Sequence, residues 1–96
     1  MSERSSATAS VHIDNERVCV TEWRLAPGSA TGWHRHEHDY VVVPLVTGTL
    51  RLEGRDGAAE AELEVGRTYF RRAGVEHDVI NANDFEFAFI ETELKT

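Results

Sequence analysis

Hydrophobic and polar residues alternate along much of this chain with a period of two. Val18–Leu25 puts Cys19, Thr21, Trp23 and Leu25 on one face and Val20, Glu22 and Arg24 on the other, until Pro27-Gly28 breaks the run. Residues 40–45 are almost continuously apolar, as in a strand covered on both faces, and Pro44 marks a bulge or an edge because it cannot donate to a ladder. Residues 49–53 alternate again with Leu50 and Leu52 inward, and Asp56-Gly57 is a turn signal into a returning strand over residues 59–63. Gly66 precedes a strand at residues 68–71, Ala73-Gly74 turns into a strand at residues 77–81, and Phe85, Phe87 and Phe89 share one face of a last strand over residues 85–94. No segment has a helical period. Eight or nine short strands at this spacing predict an all-β barrel or sandwich.

Length and composition limit the alternatives. A chain of 96 residues has room for one core. The first ten residues, rich in Ser, Ala and Thr, have little to bury, so a disordered tail over residues 1–10 and a single domain over residues 11–96 are expected. The formal net charge of −7 repels polyanions and excludes nucleic acid as a natural partner. No apolar run approaches the ~18 residues of a membrane span, and the N-terminus lacks a secretory core. One cysteine, Cys19, cannot form an internal disulfide. Together these features predict a cytoplasmic protein.

The chemistry lies in the histidines. Three of five fall at His34, His36 and His38, and His77 stands alone further on. Side chains at i and i+2 of a strand share a face, so His34 and His36 can turn both imidazoles into one cavity, to which a later strand could add His77. Neutral imidazole is a favoured ligand for zinc, iron, nickel and copper, and three such groups leave positions open for water or substrate. His38 lies between Glu37 and Asp39 and is assigned to the rim. Arg71 and Arg72 are usual solvated charges, although either could orient a carboxylate.

Residues 28–48 and 66–81 resemble the two motifs of the cupin superfamily. Gly28, His34, His36 and Gly48 fall at the spacing of the first, G-x5-H-x-H-x3-4-E-x6-G, and Gly66, Gly74, His77 and Asn81 at that of the second, G-x5-P-x-G-x2-H-x3-N, with Arg72 where proline is usual. The resemblance implies a small jelly-roll β-barrel holding one divalent transition-metal ion (Fe, Ni, Zn or Mn) through His34, His36 and His77. The chain departs from the pattern at the glutamate, where Tyr40 or Val41 stands depending on the spacing counted. Tyr40 keeps the parity of the histidines and is the candidate catalytic side chain, beside the metal or as a general acid; Glu37 and Asp39 are alternatives only on a bulged strand. The stretch from Thr31 to His36, followed by residues 39–44, is also similar to small single-domain bacterial cupins, some labelled as β-alanine degradation proteins.

Two functions follow from the resemblance. One is a metal-dependent dioxygenase, lyase or isomerase acting on a small organic acid, and the other is a metal-assisted module that binds such a carboxylate without converting it. A barrel this small also exposes edge strands, which predicts a homodimer.

Overall fold

A computed structural model describes residues 5–95 as nine strands without a helix. They are β1 (Thr8–Asp14), β2 (Val18–Leu25), β3 (His34–Arg35), β4 (Asp39–Pro44), β5 (Gly48–Gly54), β6 (Gly57–Leu63), β7 (Tyr69–Arg71), β8 (Glu76–Asn81) and β9 (Phe87–Leu94). Two antiparallel sheets result, one in the order β1-β2-β9-β4-β7 and the other β3-β8-β5-β6. This is the all-β arrangement expected from the strand pattern and the jelly roll implied by the cupin resemblance.

Leu25, Tyr40, Val42, Leu50, Val79, Phe87 and Phe89 form the core between the sheets. Each of these side chains contributes roughly 2 kcal/mol through burial. Two details differ from the pattern-based expectation. β4 is buried on one face only, through Tyr40, Val42 and Pro44, because its other face is only half covered; Pro44 ends the strand opposite Phe89. Phe85 precedes β9 and is exposed, so the inward face starts at Phe87.

The chain also becomes ordered earlier than its burial pattern suggests. All seven residues of β1 are exposed, yet Thr8–Asp14 pairs along β2 with one irregularity between Val11 and Ile13, and Ala7 N donates to Ala30 O at 2.9 Å. Main-chain pairing holds this segment, which side-chain hydrophobicity does not report. Of the expected tail, residues 1–4 lie outside the described residues, as does Thr96.

Asn81 ties the loops around the two ends of this framework. Its Nδ2 donates to Leu25 O at 2.9 Å and Phe85 O at 2.7 Å, and its Oδ1 accepts from Asn83 N and Nδ2, both at 2.8 Å. Its main chain accepts from Gly28 N at 3.1 Å and donates to Ser29 O at 3.0 Å. Asn83 in turn packs against Gly48 so closely that an added Cβ there would meet Asn83 Nδ2 at 2.9 Å, which explains the glycine. Replacing Asn81 by Ala removes its side-chain bonds to the Leu25 and Phe85 carbonyls and to Asn83, so urea denaturation should show a loss of about 2–3 kcal/mol. A loss below about 0.5 kcal/mol would remove Asn81 from this role.

Candidate metal centre

His34 and His77 are directly opposite each other in the β3–β8 ladder. His36 lies just beyond β3, and its main chain is bound twice to the turn before β8: His36 N donates to Val75 O at 2.9 Å, and Gly74 N donates to His36 O at 2.8 Å. Gly74 adopts φ +97°, a left-handed conformation that glycine reaches without strain, so the turn can present that N–H. The loop entering β3 is fixed from the same strand, since Asp78 accepts from Gly32 N at 3.0 Å and Thr31 Oγ1 accepts from Val79 N at 3.2 Å.

These constraints aim three Nε2 atoms at one point. His36 Nε2 stands 3.1 Å from His34 Nε2 and 3.3 Å from His77 Nε2. The three rings are nearly perpendicular to one another, at 81°, 73° and 88°. Nitrogen donors about 2.1 Å from a shared ion lie about 3.0–3.4 Å apart in octahedral or tetrahedral arrangement, so these two spacings fit a coordinating set. His34 Nδ1 lies 2.8 Å from Gly32 O and donates to it, which leaves the Nε2 lone pair facing inward. All ligand atoms of the trio fall within 4.8 Å of one another, and among the described residues this is the one group of three or more His, Cys, Asp or Glu placed to hold a metal ion.

Burial keeps two of the three imidazoles, His36 and His77, unprotonated. Desolvation, followed by the proximity of His34, His77 and Arg71, lowers the His36 pKa to about 3; desolvation, with His34 and Arg71, lowers that of His77 to about 4. Both imidazoles are therefore neutral near pH 7 and available to a cation.

The other expected residues separate into distinct places. Tyr40 is buried, with its ring stacked on His36 at 3.8 Å between centroids and 21° between planes. Burial raises its phenol pKa above the usual value, so the hydroxyl stays protonated. His38 is half-buried and outside the trio, Glu37 is exposed, and Asp39 Oδ1 accepts from Ala73 N at 2.7 Å. Arg71 is half-buried opposite Tyr40, whereas Arg72 is exposed. A cavity of about 550 Å³ opens beside His77 and Arg71, bounded by Arg55, Glu76 and the β5–β6 turn.

One site residue has no counterpart in the motif reading. Glu91 of β9 is 9 % exposed, and its Oε2 lies 3.7 Å from His36 Nε2. Burial and then Glu93 raise its pKa to about 7, opposed by a hydrogen bond from Trp23. With His36 neutral, the 3.7 Å contact is polar rather than ionic. The available signal was its parity with Phe87 and Phe89, which places a carboxylate at the end of an inward apolar face.

Depressed histidine pKa values set a pH dependence for the metal-free protein. Below the unfolded pKa of about 6.5 the unfolded chain binds protons at His36 and His77 that the folded chain does not, so their contribution to stability falls with pH down to about 4 for His77 and about 3 for His36. The His77→Gln variant should therefore gain stability relative to wild type as pH drops from 6.5 to 4, measured by urea unfolding; a difference independent of pH contradicts the assignment.

Comparisons with known proteins agree with this architecture. The cupin domain profile matches residues 21–93. The beta-alanine degradation protein BauB of Pseudomonas aeruginosa is 59% identical over 95 residues, covering 99% of this chain and all of that protein. A solved cupin domain from Bordetella pertussis is 54% identical with a TM-score of 0.98 and full coverage of both chains. An uncharacterised Klebsiella pneumoniae protein with a double-stranded β-helix domain shares the fold at 18% identity, with a TM-score of 0.78 over 99% of this chain and 82% of its own. Since the profile spans most of the chain and a relative matches it from end to end, this protein belongs to the cupin domain family.

Proposed function

We propose that His34, His36 and His77 hold one divalent transition-metal ion (Fe, Ni, Zn or Mn), and that the chain is a metal-dependent enzyme, a dioxygenase, lyase or isomerase, acting on a small organic acid. The convergence of three Nε2 atoms carries this reading. A bound ion would supply Lewis-acid polarisation of an oxygen-bearing substrate or, if iron, access to dioxygen chemistry. Three protein donors leave the remaining positions open, unlike a structural zinc with four.

The chain's own residues suggest the substrate class. Among the described residues Arg71 forms no ion pair, and it lines the cavity together with His77, so its guanidinium is available to a carboxylate. β-Alanine is itself a small carboxylic acid, and the name of the Pseudomonas relative refers to its degradation. Tyr40 holds the plane of His36 by stacking, and its protonated hydroxyl can act as a hydrogen-bond donor. The single cysteine supports a cytoplasmic location.

Elemental analysis of untagged protein should find about one metal ion per chain, lost in His77→Ala. Small carboxylates should raise the unfolding temperature of the loaded protein saturably, with that shift lost in Arg71→Met and retained in Tyr40→Phe. Product formation with oxygen uptake would mark an oxygenase, and product without it a lyase or isomerase. Saturable binding without turnover on any of the four metals would make the chain a binding module instead, and failure to retain any metal would refute the proposal.

The edge strand β1 supports the expected homodimer, because its seven residues are exposed and include Val11 and Ile13. Light scattering at micromolar concentration should give the mass of two chains; a stable monomer contradicts the pairing.

A further inference from the structure

The first cupin-like motif lacks its carboxylate, since neither Tyr40 nor Val41 is acidic. A carboxylate nevertheless reaches the histidines from elsewhere. β9 runs antiparallel between β2 and β4, with Glu91 opposite Thr21 on one side and Val42 on the other. Phe87 and Phe89 set the inward parity of the strand, and Glu91 follows in phase. Its Oε2 ends 3.7 Å from the inward-facing nitrogen of His36.

The surroundings of Glu91 are unusual for an acid. It is nine-tenths buried, and among the described residues no lysine or arginine forms an ion pair with it; its contacts are the Trp23 hydrogen bond and His36. Buried carboxylates are ordinarily paired with a cation or coordinate a metal, because an isolated charge is costly to desolvate. The trio of imidazoles has the complementary deficit. Three neutral ligands bring no negative charge to balance a divalent ion in a buried site. One group lacks a cation, the other lacks an anion, and they are adjacent.

We infer that Glu91 is the charge-balancing carboxylate of the three-histidine centre, supplied by the last strand in place of the missing glutamate of the first motif. Trp23 holds the carboxylate in position through its hydrogen bond, from a site diagonal to Glu91 across the β2–β9 ladder. The inference rests on the metal-binding reading above. The competing account is a neutral acid packed in the core, which has no influence on the metal.

Zinc affinity of the full-length chain, measured by competition with a chromophoric chelator, separates the two. Glu91→Gln should bind zinc about 10–100-fold more weakly than wild type. Glu93→Gln, two residues further along the same face of β9 and opposite Tyr40, should stay within about threefold, which controls for a general loss of negative charge. Thermal unfolding of the metal-free Glu91→Gln protein should show a midpoint at or above that of wild type, because the amide keeps the shape of a buried acid that has no cation beside it in the metal-free protein. Should that variant not fold, Glu91→Met carries the same expectation, as an unbranched apolar side chain of similar length. Affinity within about threefold of wild type in the folded variant overturns the inference, and so does an equal loss in Glu93→Gln. If wild type binds no zinc, iron, nickel or manganese, the metal-centre proposal itself falls and takes the inference with it.

Discussion

The short ladder between β3 and β8 is the constraint on which the site depends. His34 faces His77 in register, and His36 is secured by two main-chain hydrogen bonds to Val75 and Gly74. β3 is only two residues long, too short to be stable by itself. It is fixed because Asp78 and Val79 of β8 also bind the loop that enters it, through Gly32 and Thr31. Two segments distant in the chain are thereby locked together, and the donors arrive at coordinating distance as a consequence of backbone pairing rather than of side-chain flexibility. Such preorganisation reduces what ligand ordering would otherwise cost on metal binding.

Around that ladder the barrel combines an apolar core with a polar mouth. Tyr40 bridges the two, because its ring belongs to the core cluster while its face supports His36. Burial has opposite effects on the groups it encloses. It lowers the imidazoles and raises the acid and the phenols, in each case favouring the neutral form. A cluster held uncharged in this way avoids the desolvation cost of ions while keeping its lone pairs available. The polar loops follow the same economy of unsatisfied groups. Asn81 donates to both the Leu25 and Phe85 carbonyls, each such bond to a buried group worth about 1–3 kcal/mol.

Much of the fold was legible because strands announce themselves locally. β2 coincides with its alternating run, the Asp56-Gly57 turn joins β5 to β6, and Gly66 and Gly74 punctuate the approach to β7 and β8. Where the reading differed, nonlocal or main-chain forces were responsible. β1 is recruited by hydrogen bonds to β2 although its side chains remain exposed, and β4 is half covered because coverage depends on which neighbours the topology assigns to each face. The shared face of His34 and His36 was legible by the same logic of parity, and His77 was added by the resemblance to the second cupin motif. Arg71 and Arg72 were indistinguishable in the sequence, and only the placement of β7 beside β4 turns the first toward the site.

By itself, the sequence determined the all-β class and the shared face of His34 and His36, and its resemblance to the cupin motifs implied the jelly roll, the addition of His77 and the absence of a carboxylate at the motif position. The first two follow from residue identity and short-range periodicity, and the others from motif spacing, none of which needs a partner strand to be read. Tertiary structure alone decided that Tyr40 stacks on His36 and that a glutamate enters from β9, 55 residues beyond His36 in the chain. The face a strand presents can be inferred from its own alternation, but what that face meets depends on the pairing of distant strands. For Glu91 the decisive fact is the insertion of β9 between β2 and β4, which places its inward face beside the histidine that β3 and β8 hold in position.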